Sequence, residues 1–160
     1  MKYVLFMVGL LVAGQTDAQS LTLSGEITKA QTLQAAEIAA MPHVEVTATD
    51  HGNQTHRYSG VPLVDVLRRA GTTLGGELRG KNLTKVVIIK AADGYEAVFA
   101  LPELDPDFND RTILLADRVD GAPMPEGVGP LRIVVPGEKK QARWVRQVIA
   151  IEVRSVRTPK

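Results

Sequence analysis

The strongest restriction on the fold comes from an apolar segment that lies between two prolines and is followed by a basic turn. Residues 131–135 are Leu-Arg-Ile-Val-Val, and branched aliphatic side chains of this kind favour a buried β-strand. Pro130 and Pro136 limit the strand at both ends, because proline has no backbone N–H to donate to a neighbouring strand. The sequence therefore predicts a short interior strand at this position.

This strand contains one charged residue, Arg132, and three more cations follow it before the single tryptophan of the chain. A charge in a buried strand must be paired or must face a site. Arg132 therefore either binds a phosphate or carboxylate, or pairs with an acid at the sheet edge. Lys139, Lys140 and Arg143 either surround an anion or form a solvated turn. Trp144 is predicted to anchor the core rather than to stack on a ligand.

Length and charge exclude several classes of protein. The chain has 160 residues, which is enough for one domain with a sizeable core. Its net charge is +1, and the basic residues are not interleaved with aromatic ones. Neither property favours a nucleic-acid partner or an anionic membrane surface.

The first residues have the pattern of a secretory signal peptide. Lys2 precedes an apolar run over residues 3–13, and Thr16-Asp17-Ala18 ends in a small residue suited to cleavage. The apolar run is shorter than the roughly 20 residues of a membrane span, although an uncleaved anchor is the alternative. We predict a signal peptide over residues 1–18, a domain over residues 19–160, and a periplasmic or secreted protein without stable membrane insertion after cleavage.

Cysteine is absent from the whole sequence. This excludes a cysteine nucleophile, an iron–sulfur cluster and any thiolate metal site. His43, His51 and His56 have no standard metal-ligand spacing either, so no metal ligands are predicted.

Two helices are indicated by their caps and apolar spacing. Thr32 is predicted to cap a helix over residues 33–41, which Pro42 ends. A second helix is predicted after Pro62, where apolar residues follow at helical spacing, and Gly71 suits the residue beyond its C-terminus.

Short alternating segments and turn dipeptides fill the rest of the chain. Asp93-Gly94 and Asp120-Gly121 are typical of tight β-hairpin turns. Tyr95 follows the first turn, where it either packs or contacts a ligand. Seven or eight strands with two or three helices predict an α+β fold, a single domain of mixed, largely antiparallel β-sheets.

Several motifs occur together in an order typical of one family. These are Tyr58-Ser59-Gly60-Val61-Pro62-Leu63, Ala92-Asp93-Gly94-Tyr95, Leu114-Leu115-Ala116, Asp120-Gly121, residues 129–136, Arg143-Trp144 and Ile151-Glu152. The series resembles the molybdopterin-binding domain of the sulfite oxidase superfamily, and the resemblance runs from about Leu21 to Val153.

The resemblance implies a fold of mixed sheets with a pterin-dithiolene molybdenum cofactor, molybdopterin, in a groove. It places Arg132, Lys140 and Arg143 near the pterin and phosphate of the cofactor, with Asp93 and Tyr95 as further candidate contacts. Arginine suits this role because its planar guanidinium binds phosphate through two hydrogen bonds.

Two departures from the family pattern alter the expected function. Family enzymes hold molybdenum through a cysteine thiolate, and residues 43–60, where it would lie, contain none. The chain is also shorter than those enzymes. We therefore expect a non-catalytic module that binds a pterin or another anionic small molecule. The alternatives are a molybdenum-dependent oxidoreductase without cysteine ligation and an interaction subunit of an exported redox system.

Overall fold

The computed structural model describes residues 20–156, so the predicted signal peptide lies outside the described part. The ten strands are β1 (Ser20–Gly25), β2 (Gln31–Gln34), β3 (Val44–Thr49), β4 (Thr55–Pro62), β5 (Lys85–Ala91), β6 (Glu96–Ala100), β7 (Leu114–Val119), β8 (Ala122–Pro123), β9 (Arg132–Val134) and β10 (Val148–Ser155). The two α-helices are α1 (Ala35–Ala39) and α2 (Leu63–Arg69). Within residues 20–156, no helix is both long and apolar enough to cross a membrane.

The strands form two five-stranded sheets. The first has the order β2-β1-β10-β5-β6, and the second has the order β3-β4-β7-β8 with β9 also paired to β7. Only the β1–β10 pair is parallel among the pairs described. This arrangement, with two helices, confirms the predicted α+β fold of mixed, largely antiparallel sheets.

Both sheets and α2 contribute to one cluster of buried apolar side chains. Helix α2 buries Leu63, Val66 and Leu67, the helical spacing from which it was predicted. Gly71 follows the helix with a φ of +72°, a conformation that glycine adopts without steric strain. The second predicted helix is therefore confirmed.

Strands β4 and β7 approach closely where Gly60 lies. A Cβ atom at Gly60 would stand 2.3 Å from the carbonyl oxygen of Leu115, so only glycine fits this position. The register between the strands shifts at the same place, between Ser59 and Gly60. The following residues lead directly from the sheet into α2.

The prediction that Thr32 caps a helix over residues 33–41 was wrong. Thr32 lies in β2 opposite Thr22, and Leu33 is buried opposite Leu21. The helix starts only at Ala35, and the backbone N–H of Gln34 donates to the Glu37 carboxylate over 3.0 Å. Pairing with β1 outweighs the local capping signal, because the strand buries Leu33.

Three connections come together near one end of the second sheet. They are the β3–β4 turn, the β5–β6 turn at Asp93-Gly94, and residues 135–147 between β9 and β10. Hydrogen bonds join all three connections, and a cleft lies where they meet.

Candidate functional site

The cleft has a volume of about 420 Å³ and a mixed polar and apolar lining. Its polar lining residues are His51, Asp93, Tyr95, Arg132, Gln141 and Arg146. The structure thus brings together three residues that the sequence analysis selected, namely Arg132, Asp93 and Tyr95.

Hydrogen bonds between the three connections hold the walls of the cleft. The Tyr95 hydroxyl donates to the carbonyl of Ala142 over 2.7 Å. The Gln141 side-chain amide donates to the carbonyl of Thr49 over 2.9 Å. Asp93 accepts from the backbone N–H of Tyr95 over 2.9 Å, which fixes the hairpin turn. Asp93 and Tyr95 therefore shape the cleft as well as line it.

Arg132 has an incomplete set of partners. Its guanidinium carbon lies 5.2 Å from the centroid of the Trp144 ring, a cation–π distance. Within residues 20–156 the Arg132 side chain makes no hydrogen bond or ion pair, and its Nε is buried without a partner. The indole N–H of Trp144 is also buried without a partner. Buried donors of this kind are normally satisfied.

The charges around Arg132 leave a positive excess in the cleft. Burial lowers the pKa of the Arg132 guanidinium, and the charge of Arg146 acts in the same direction. Arginine stays protonated in proteins, so the result is a destabilised cation rather than a neutral side chain. Asp50 partly offsets the charge, but no carboxylate of the described residues pairs with Arg132 or Arg146. The cleft is therefore suited to an anion.

Trp144 lies in the core, as the sequence analysis predicted, and also contacts Arg132. It is 3% exposed, and its ring meets that of Tyr58 edge-on with centroids 5.7 Å apart. This confirms Trp144 as a core residue. Its ring also supports the Arg132 guanidinium, so the core positions the cation at the cleft.

Arg143, by contrast, lies outside the cleft lining and has a full set of partners. Its Nε and one terminal nitrogen donate to Glu138 over 2.9 and 2.5 Å, and the other terminal nitrogen donates to Glu103 over 2.9 Å. Its guanidinium carbon also lies 4.4 Å from the Phe99 ring centroid. Burial alone would lower the pKa of Arg143, but the hydrogen bonds to both glutamates outweigh burial and raise it.

Lys140 does not line the cleft either. It is an exposed residue directly before the 3₁₀ turn Gln141–Arg143, as is typical of a solvated turn. Of the predicted basic set, the structure therefore places only Arg132 in the cleft. Arg146 takes the position of a second cation, and the sequence analysis did not select it although it follows Trp144 by only two residues.

The three histidines lie in separate environments. His43 contacts Asp117 over 3.1 Å, His56 contacts Asp120 over 2.6 Å and Asp50 over 3.5 Å, and His51 lines the cleft. In the part of the chain that the structure describes, no three histidine, aspartate or glutamate side chains are placed to hold a metal ion.

A second groove, of about 450 Å³, lies beside β3 and the start of α2. It is slightly larger than the cleft, but its lining residue Arg68 pairs with Asp65. None of the described side-chain atoms that are buried without a partner belongs to its lining. We therefore place the candidate site at Arg132, because unsatisfied buried donors indicate a ligand better than volume does.

Comparison with known structures defines the class of fold. The sulfane dehydrogenase SoxCD of Paracoccus pantotrophus superposes with a TM-score of 0.68 at 20% sequence identity. The match covers 88% of this chain but only 39% of that one. The two proteins thus share the fold, and this chain spans well under half the length of its structural neighbour.

The sequence defines the family more closely. The pattern of the oxidoreductase molybdopterin binding domain matches residues 11–160, which is nearly the whole chain. The protein belongs to this family, and the resemblance to the sulfite oxidase superfamily is confirmed. No curated protein matches the sequence.

Proposed function

We propose that this protein is a binding module that holds the anionic group of a pterin cofactor, or of another small molecule, in the Arg132 cleft without catalytic turnover. One observation carries the proposal: the partly buried Arg132 guanidinium has no anionic partner among residues 20–156. Leaving such a charge uncompensated destabilises a fold. An anion from outside the chain supplies the missing partner, and Arg146 adds a second positive charge.

The residues of the cleft fit one end of a molybdopterin cofactor. Arg132 would hold its phosphate, with Arg146 close by and with the Tyr95 ring at the wall of the cleft. The other end does not fit, because molybdenum in this family is held by a cysteine thiolate and the chain has no cysteine. Oxygen and imidazole ligands give the metal different electronic properties. A module that binds the cofactor without turnover agrees with both observations, the fit at the phosphate and the missing ligand for the metal.

We propose that this function is carried out in the periplasm or the medium, on the basis of the signal-peptide pattern in residues 1–18. An exported redox protein is the partner class that suits a domain of this family, since the structural neighbour is itself a dehydrogenase. N-terminal sequencing of the protein from its native cell tests the export proposal, with Gln19 expected as the first residue. A first residue at Met1 would contradict it.

The composition of the purified protein tests the binding proposal. We expect an anionic small molecule, released on denaturation at about one per chain, without stoichiometric molybdenum. Mass spectrometry of the released fraction and elemental analysis of the protein measure the two quantities. Stoichiometric molybdenum would overturn the non-catalytic assignment and support an oxidoreductase with a ligand other than cysteine.

An Arg132→Met variant tests the assignment of the site, with Arg143→Met as its matched control. Methionine keeps much of the side-chain volume but removes the charge, so we expect this protein to purify without the anion. The Arg143→Met variant, whose charge lies outside the cleft, is expected to retain it. Equal ligand content in the two variants would refute the assignment of the site to Arg132.

A further inference from the structure

His56 lies between two carboxylates from different turns. Its Nδ1 is 2.6 Å from the carboxylate of Asp120 in the β7–β8 turn, and its Nε2 is 3.5 Å from that of Asp50 in the β3–β4 turn. Carboxylates accept hydrogen bonds, so both contacts are satisfied together only when the imidazole carries two protons. The geometry therefore favours the charged form of His56.

Asp50 connects this histidine to the cleft. One oxygen of Asp50 accepts the backbone N–H groups of Gly52 and Gln54 over 2.8 and 3.1 Å, which fixes the carboxylate in the turn. The next residue, His51, lines the cleft. The negative charge of Asp50 acts on Arg132, the cation of the proposed site. A change in the charge next to Asp50 therefore changes the electrostatic potential at Arg132.

We propose that protonation of His56 controls how strongly the Arg132 cleft binds an anion, with tighter binding as the pH falls. This inference rests on the proposed function, since it requires that the cleft bind an anion. When His56 is charged, its positive charge offsets the negative charge of Asp50, so that the full positive charge of Arg132 attracts the anion. When His56 is neutral, the charge of Asp50 opposes the incoming anion. Binding and protonation are reciprocally coupled.

The two carboxylates that contact His56 both raise its pKa. The hydrogen bond to Asp120 raises the pKa of His56, burial opposes it, and the charge of Asp50 adds to the increase. Tyr58 faces the imidazole edge-on, with centroids 6.1 Å apart, and Arg57 acts on Asp120 through its charge. His56 thus releases its proton above the ordinary histidine value of about 6.5.

Sulfate is a suitable probe because it stays a dianion over the relevant range. Calorimetric titration of the full-length protein from about pH 5.5 to about pH 8.5 measures its dissociation constant. We expect that constant to rise by roughly fivefold to tenfold over this range, at the lower end of the usual span of coupling between sites. The His56→Gln variant keeps hydrogen-bonding capacity but cannot titrate at this position, so its affinity is expected to lose most of the pH dependence over the same window.

Two further variants separate His56 from its neighbours. Asp50→Asn retains the oxygen that caps the turn but removes the negative charge. This variant is therefore expected to lose the pH dependence and to bind sulfate more tightly at high pH. His51→Gln changes a residue of the cleft itself, and most of the pH dependence is expected to survive. Thermal unfolding of each variant verifies that it is folded.

The outcomes distinguish this inference from the proposed function. Sulfate binding that does not vary with pH would overturn the role of His56 and leave the anion site standing. The same conclusion follows if the His56→Gln variant keeps the pH dependence, or if the His51→Gln variant loses it. Absence of sulfate binding at every pH would overturn both.

Discussion

Arg132 and Arg143 lie eleven positions apart in the sequence but occupy opposite kinds of environment. Each guanidinium stands over an aromatic ring, that of Trp144 for Arg132 and that of Phe99 for Arg143. Arg143 donates to two glutamates, whereas Arg132 has no anionic partner in the described part of the chain. The fold thus completes the environment of one cation and leaves the other incomplete.

This difference separates a structural arginine from a binding one. A charge that the chain pairs internally has little left to offer a ligand, and removing it leaves other charges unpaired. A partly buried charge that the chain does not pair reduces the stability of the fold until an anion arrives. Pairing, rather than membership of a basic cluster, therefore indicates which cation belongs to the site.

The largest expected effect comes from replacing each arginine with methionine in turn. Arg143→Met leaves Glu138, whose side chain is 17% exposed, without its partner, so we expect the free energy of unfolding to fall by about 2 kcal/mol. Arg132→Met removes an unpaired charge, and we expect a change within about 1 kcal/mol or a gain. Urea unfolding without added anions measures both. An equal loss in the two variants would remove the distinction between them.

A smaller effect is expected from Tyr95→Phe. The change removes the hydrogen bond to the Ala142 carbonyl and keeps the ring at the wall of the cleft. A net loss of about 1 kcal/mol is typical of one such bond, with a weaker anion affinity because the wall is less firmly held. Unfolding and titration with sulfate check the two effects, and unchanged values of both would show that this bond does not shape the cleft.

The pH dependence of stability provides a third comparison. It is made between the wild type, in which His56 can titrate, and the His56→Gln variant, which has no titratable group at this position. The pKa of His56 is raised in the folded state, chiefly by the hydrogen bond to Asp120. Its contribution to stability is therefore complete below the unfolded value of about 6.5 and is lost as the pH rises through the higher folded value. We expect the wild type to lose stability relative to His56→Gln across that window. Parallel curves in urea unfolding would contradict this.

The smallest effect is expected from Lys140→Ala. Lys140 is exposed and lies outside the cleft lining, so stability should change by less than about 0.5 kcal/mol and sulfate affinity by less than about twofold. Loss of binding comparable to that of Arg132→Met would show that Lys140 contributes to the anion site after all, and that the site reaches as far as the turn.

The sequence predicted those parts of the molecule that depend on local chemistry. The hairpin turn at Asp120-Gly121 is one example, since both residues have the positive φ values, 49° and 82°, of such turns. Helix α2 is another, because its apolar spacing and its terminal Gly71 lie within one segment. The unexplained charge of Arg132 inside an apolar strand was also visible without a structure.

Features that depend on distant residues could not be predicted in this way. Thr32 had the signal of a helix cap, but its pairing with Thr22 of β1 places it in a strand. One of the two glutamates that pair with Arg143, Glu103, lies forty positions earlier in the chain, so this pairing could not be predicted from the local sequence. His51 and Arg146 entered the cleft only because three separate connections meet there.

The most direct test of the account is the stabilisation that an anion gives to the wild type and to the two arginine variants. A ligand that binds only the folded state raises the free energy of unfolding by RT ln(1 + [L]/Kd), where [L] is the free ligand concentration. With saturating sulfate, at constant ionic strength, we expect the same increase for the wild type and Arg143→Met, and for Arg132→Met only the smaller, general stabilisation that sulfate gives to folded proteins. An equal increase in Arg132→Met would show that Arg132 does not hold the anion.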